Sequence, residues 1–159
     1  MDQVHIHLLL NHVAILGVIF SFVLLIFGVF KSERILFKSA LIGFVFSALV
    51  AIPVFLTGEG AEETVEDMPG ITHEIIDEHE ESAEFAIWMV EILGLISLVT
   101  LFAADKYRRP LTSLVIIFAI ISTGTLVYYG MEGGKIRHSE LRDSSAAPVK
   151  VTDDESDEH

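Results

Sequence analysis

Histidine is the side chain best suited to chemistry in this chain, and six of the seven histidines lie where long apolar runs begin or end. The stretch HIHLLLNHVAIL opens the first run and contains three of them. Neutral imidazole is a common ligand of transition metals, and carboxylates complete many non-haem sites. The six are His5, His7, His12, His73, His79 and His138. This clustering predicts a metal or haem site where the ends of the runs meet.

Two of these histidines, His12 and His79, have apolar residues beside them on the same face of a predicted helix. We therefore expect both side chains to point into the protein at similar depth. Two imidazoles on different helices suit the axial ligation of haem b within an apolar slot. The alternative is that they hydrogen-bond to one another or to loop carbonyls. For a divalent transition metal ion, the ligand set expected beside them is His5, His7, Glu62, His73, Glu80 and His138.

Glu91 is the one acidic residue inside a continuous apolar segment, FAIWMVEILGLISLV. A carboxylate in hydrocarbon costs about 2.5–3.5 kcal/mol on insertion scales, and such acids often handle protons. We expect Glu91 to act catalytically by taking up a proton coupled to a redox step. It shares one helical stripe with His73, Asp77, Glu80 and Glu84. The alternative is a protonated Glu91 that makes one interhelical hydrogen bond.

Four apolar runs must position these residues, at about 8–30, 35–56, 83–104 and 111–129. Each is long enough to cross a hydrocarbon layer about 30 Å thick. Because lipid offers no hydrogen bonds to the backbone, the runs should be helices. We expect an all-α integral membrane protein, an antiparallel four-helix bundle over residues 1–142. The acidic tail, residues 143–159, is expected to be disordered.

The orientation follows from the basic residues, six of which lie in the first and third connections between runs. They are Lys31, Arg34, Lys38, Lys106, Arg108 and Arg109. The positive-inside rule makes these connections cytoplasmic, so both termini should be extracytoplasmic in a bacterial inner membrane. The net charge of −13 then lies almost wholly outside. It argues against nucleic acid as a partner and suits a basic soluble electron carrier.

Small residues recur on one face of each of the first two runs. Ala14, Ser21 and Gly28 are seven apart, with Gly17 beside them. In the second run the spacing is four, through Ser39, Gly43, Ser47 and Ala51. Rows of small side chains let helices approach closely in lipid. Thr57-Gly58 is predicted to close the second run, Met68-Pro69-Gly70 to break the chain, and His73 to start a helix that continues into the third run.

Several motifs resemble an uncharacterised family of bacterial four-helix inner-membrane proteins. They are L-N-H near the start, TGEGAEE after the second run, D-E-H-E before the third and G-G-K-I-R-H-S-E at the end, and they cover Val4 to Leu141. The layout is more distantly similar to the four-helix membrane cytochromes b. That resemblance implies haem b held between helices and electron exchange with a quinol.

Together these patterns predict a membrane redox protein that binds haem b or another metal at its outer side and transfers electrons. It would be embedded in the lipid bilayer, in a membrane complex or as a homo-oligomer. Two alternatives remain open. One is a non-catalytic membrane subunit that binds or transports a metal ion, and the other is a purely structural interaction protein.

Overall fold

The computed structural model describes residues 3–65 and 73–137, and all of its regular structure is helical. The four helices are α1 (Gln3–Phe30), α2 (Arg34–Val65), α3 (His73–Phe102) and α4 (Asp105–Arg137). No strand occurs within these two ranges. The expected all-α, four-helix architecture is therefore confirmed.

Each helix contains a segment that is long and apolar enough to cross a membrane. The segments are Val4–Phe30, Arg34–Gly58, Glu80–Phe102 and Asp105–Gly130. Large apolar side chains cover the outside of the bundle, with Leu16, Phe20 and Phe102 all more than half exposed. An outer surface of this kind is what a lipid-facing helix requires.

The helices form a bundle in which each packs against its neighbours in the chain. α1 packs most closely on α2, α2 on α3 and α3 on α4, while α4 makes a looser contact with α1. Because α1–α2 and α3–α4 are joined by three and two residues, each pair is antiparallel. The fully buried core draws on all four helices and includes Val18, Leu41, Phe44, Leu93, Val115 and Ala119.

Small residues set the contact between α1 and α2. Gly17 lies against the Ser47 side chain, and Gly43 lies against Ser21. At Gly28 the approach is between backbones, because a Cβ placed there would be 2.6 Å from the Phe37 amide nitrogen. The two predicted rows of small residues therefore face each other, as close packing in lipid requires.

A tight turn fixes how α1 and α2 align. Ser32 adopts a left-handed backbone with φ of 55°, which reverses the chain directly after α1. The Glu33 amide donates to the Gly28 carbonyl at 2.9 Å, and the Lys31 amide donates to Phe27 at 2.9 Å. These bonds satisfy carbonyls at the end of α1 and hold the two helices in one register.

α2 continues as a helix well past Thr57-Gly58, where the sequence pattern predicts its apolar run to close. Pro53 lies inside it and removes one backbone donor. The Thr57 hydroxyl donates to the Pro53 carbonyl at 2.8 Å, and Ala61 and the glutamates beyond it favour helix. α3 begins at His73 as predicted.

We expect Gly28→Ala to lower the free energy of unfolding by about 1–3 kcal/mol, the usual range for overpacking a tight contact. The added methyl group would meet the backbone of α2, which moves less easily than a side chain. Gly124→Ala is the matched control, because nothing lies within 4 Å of a Cβ at that position. Circular dichroism during unfolding in mixed micelles would measure both, and equal stability of the two variants would contradict the close approach.

Candidate functional site

His7 lies at the end of the bundle where α1 begins and α2 leaves its apolar segment. Its Nδ1 is 3.1 Å from the Val54 carbonyl oxygen and 3.2 Å from Thr57 Oγ1. Because a carbonyl only accepts, Nδ1 must carry the proton and donate. The half-buried His7 side chain therefore joins α1 to α2 and keeps Nε2 as a lone-pair site.

The surroundings of His12 differ from the predicted position inside the bundle. Its side chain is exposed, and its Nδ1 is 2.6 Å from the Leu8 carbonyl one turn earlier in α1. The expectation that His12 points into the bundle is wrong. Five residues separate it from His7, which corresponds to about 140° around the helix, so the two imidazoles face different sides.

The helix contacts also show that His12 and His79 lie at different depths. Gly17 lies against Ser47. Because α1 and α2 are antiparallel, His12, five residues before Gly17, is level with Ile52, five residues after Ser47. Gly94 lies against Ala48, which makes Ile52 level with Val90 on α3. His79 precedes Val90 by eleven residues, or about 16 Å along the helix axis. The two residues therefore lie at different heights on their helices, and the His79 side chain lies outside the described part of the chain.

The other predicted ligands are only partly covered by the described residues. His5 and Glu80 are exposed. Among the described side chains, no group of three or more histidine, aspartate or glutamate residues converges as a metal would require. The side chains of Glu62, His73 and His79, and all of His138, lie outside the described part of the chain. The ligand assignments of these residues stay predictions.

His7 and His12 share one feature that matters for metal chemistry. In both, Nδ1 donates to a main-chain carbonyl, at 3.1 Å and 2.6 Å respectively. In metal-ligating histidines, a hydrogen bond of this type from the ring nitrogen that does not bind the metal fixes the tautomer and the ring orientation. In each side chain Nε2 is therefore the ring nitrogen left to a metal.

Glu91 lies at the centre of the Glu80–Phe102 segment, with eleven residues on either side. Its Oε1 is buried and has no hydrogen-bond partner among the described residues. Gly94, one turn later, lies against Ala48, so Glu91 is on the side of α3 that faces α2. Within the described chain this oxygen therefore makes no interhelical hydrogen bond.

The outer members of the acidic stripe on α3 are accessible. Asp77, Glu80 and Glu84 are exposed, and Glu91 is the half-buried inner end. Glu84 accepts a hydrogen bond from Trp88 Nε1 at 3.4 Å, which ties it to an exposed aromatic ring. The stripe therefore leads from the exposed end of α3 to the middle of the apolar segment.

The spacing of residues in the sequence indicates that His7 faces α2. His7, Ala14, Ser21 and Gly28 are spaced by seven, so His7 extends the row of small residues by one step. That row packs against α2. Apart from Asn11, the neighbours of His12 are apolar, and apolar residues alone do not distinguish a lipid-facing direction from a core-facing one.

We expect His7→Ala to lower the free energy of unfolding by about 0.5–1.5 kcal/mol, the typical net value of one hydrogen bond. The loss arises because His7 bridges α1 and α2, whereas His12 bonds only within α1. His12→Ala is therefore the matched control and should change stability less. Unfolding of both variants in mixed micelles tests this, and a larger loss in the control would contradict the bridging role of His7.

We expect Glu91→Leu to raise the free energy of unfolding by about 1–3 kcal/mol. Leucine removes a buried oxygen that has no partner, and the penalty for such an atom is of this size. Glu84→Leu is the comparison, because Glu84 is exposed and bonded to Trp88. A loss of stability in Glu91→Leu would show that the carboxyl holds the bundle together.

No protein-family model, curated protein or solved structure matches this chain. The two resemblances noted in the sequence therefore stay predictions.

Proposed function

We propose that the protein is an integral membrane redox protein that binds haem b, or alternatively a divalent transition metal ion, through histidines in its outer half and transfers electrons. The observation that carries this proposal is the hydrogen bonding of His7 and His12. Each donates Nδ1–H to a carbonyl, which leaves Nε2 as the ring nitrogen that could bind a metal. Haem iron and the borderline transition metals both bind this form of imidazole.

The membrane location is supported by the four long apolar helices and by the charges at their ends. Six basic residues lie in or beside the α1–α2 and α3–α4 connections. With those connections in the cytoplasm, both termini and the α2–α3 connection face outward from a bacterial inner membrane. The histidines of α1 and the acidic residues of α3 then belong to the outer half of the protein.

The electron partner in this proposal is a quinol in the bilayer or a basic soluble carrier at the acidic outer surface. The α3 stripe of exposed acids supports a route for protons from that surface to Glu91. Glu91 takes up or releases the proton that accompanies electron transfer. The unpartnered Oε1 supports this role, because a carboxyl with no bonding partner is available to accept a proton.

A second candidate is a membrane subunit without redox activity, which binds or transports a metal ion or acts only in assembly. The bridge from His7 to Val54 and Thr57 favours this candidate, because it joins two helices whether or not a metal is bound. In that case the outer polar groups form a cap over the bundle for a partner protein.

The ultraviolet–visible spectrum of the protein purified in mild detergent tests the proposal. We expect a Soret band that shifts on reduction by dithionite, or else stoichiometric iron or copper by elemental analysis of the same sample. Stoichiometric zinc, which has no redox chemistry, would favour the metal-binding candidate without redox activity. His12→Ala should lose the cofactor, whereas His159→Ala, which changes a histidine outside the predicted site, should retain it. A spectrum without a band in a metal-free sample would reject the redox proposal and favour the structural candidate.

A further inference from the structure

A groove lies on the outside of the bundle where α3 ends and α4 begins. Its volume is about 550 Å³, and its lining comes from the end of α3, the residue after it and the first turns of α4. The lining residues are Val99, Phe102, Ala103, Tyr107, Pro110 and Leu111. Apart from the Tyr107 hydroxyl, every side chain in this lining is a hydrocarbon. The groove therefore suits an apolar chain better than a peptide, whose backbone would need polar partners.

The groove is open to the surroundings of the bundle at the end of the apolar segments. Phe102 is the last residue of the α3 segment, and Asp105 is the first of the α4 segment. The two aromatic side chains of the lining, Phe102 and Tyr107, are 84% and 53% exposed. The groove thus begins at the membrane surface and continues toward the hydrocarbon. A lipid, whose chains have the same direction, can enter it from the side.

A positive charge lies at the mouth of the groove. Lys106 Nζ is 4.5 Å from the centroid of the Tyr107 ring, which is a cation–π contact with a side chain of the lining. Lys106 also precedes Pro110 by four residues, so it lies on the same face of α4, one turn nearer to the membrane surface. Its aliphatic stem can lie along apolar surface while the ammonium group stays at the level of lipid headgroups.

The remaining charges of this connection leave a positive excess. The Asp105 carboxylate is paired with Arg108 at 3.2 Å. Arg109, three residues after Lys106 and therefore beside it on the helix surface, is exposed and has no ion pair with a described residue. Lys106 and Arg109 are thus two positive charges without a carboxylate partner in the described chain. Their complement at this depth of a bilayer is the phosphate of an anionic lipid.

The connection between α1 and α2 shows what the groove adds to the charges. It carries Lys31, Arg34 and Lys38 on the same side of the membrane in the proposed orientation, so charge alone does not distinguish the two connections. There, however, the helices are in close contact, because a Cβ at Gly28 would be 2.6 Å from the Phe37 amide nitrogen. The α3–α4 connection combines basic residues with an apolar groove, which matches the two parts of a phospholipid.

We propose that this groove binds an anionic phospholipid, with one acyl chain along its apolar lining and the phosphate at Lys106 and Arg109. In the proposed orientation this end faces the cytoplasm, where the anionic leaflet attracts basic residues close to the membrane. A quinol or a zwitterionic lipid would fit the apolar lining but would leave the two positive charges without an anion. The site involves neither the histidines nor a cofactor, so its test is independent of the redox proposal.

Fluorescence quenching by brominated lipids tests the proposal in the reconstituted full-length protein. Phe102→Trp places the reporter in the groove, and Trp88→Phe removes the only native tryptophan. Phosphatidylcholine vesicles contain a small fraction of brominated phosphatidylglycerol or, for comparison, of brominated phosphatidylcholine. We expect the anionic lipid to bind at least about fivefold more tightly, since one basic residue near anionic lipid contributes roughly that factor. Equal quenching by the two lipids would overturn the proposal.

Two matched pairs of substitutions test whether the charges at the groove are responsible. Lys106→Gln together with Arg109→Gln should abolish the preference for the anionic lipid. Lys31→Gln together with Lys38→Gln removes the same charge from the α1–α2 connection and should retain the preference. A preference that survives in the first pair, or that is lost equally in both pairs, would overturn binding at this site.

The apolar lining is tested by Ala103→Leu, which fills part of the groove without changing a charge. Native mass spectrometry of the protein purified with phosphatidylglycerol measures how much lipid stays bound. We expect Ala103→Leu to lose most of this lipid. Gly124→Leu, on the same helix pair at a position where nothing lies within 4 Å of a Cβ, should retain it. Full retention in Ala103→Leu would show that the headgroup binds without the groove, which would overturn the proposal.

Discussion

The close approach of α1 and α2 is the constraint on which the other features depend. In lipid, helices gain little from burying apolar surface against one another, so close packing and polar contacts hold them together. Gly17, Gly28 and Gly43 supply that packing, and the Ser32 turn sets its register. Once this pair is fixed, the rotation of α1 is fixed too. The rotation decides that His7 meets α2 and that His12 faces outward.

Burying a polar group in an apolar bundle costs free energy unless the group is hydrogen-bonded, and the polar groups of this protein differ in that respect. His7 bonds across to α2, and His12 bonds within its own helix. Glu91 Oε1, Ser97 Oγ and Thr123 Oγ1 are buried without a partner among the described residues. Glu91 is the costliest of the three to leave unpaired, because it is the ionisable one.

The sequence predicts the architecture well because run length alone determines how many helices can cross a bilayer. It also predicts the contact of α1 with α2, since glycine and serine at fixed spacing indicate close packing. It does not predict the direction of His12, because the surface that faces lipid and the surface that faces the core are both apolar. The apolar segment of α2 ends at Gly58 as predicted, but the helix itself continues to Val65, since a threonine that bonds backward stabilises a helix as readily as it ends one.

The exposed position of Trp88 makes the unmodified chain its own optical reporter. It is the only tryptophan, it lies on the outer face of α3, and the register places it near the level of His12. Haem absorbs where indole emits, so bound haem would quench the fluorescence of Trp88 by energy transfer. The emission would recover when haem leaves. A bare metal ion would have a much smaller effect. The fluorescence of the purified protein therefore carries information on both the occupancy and the kind of cofactor, without a label.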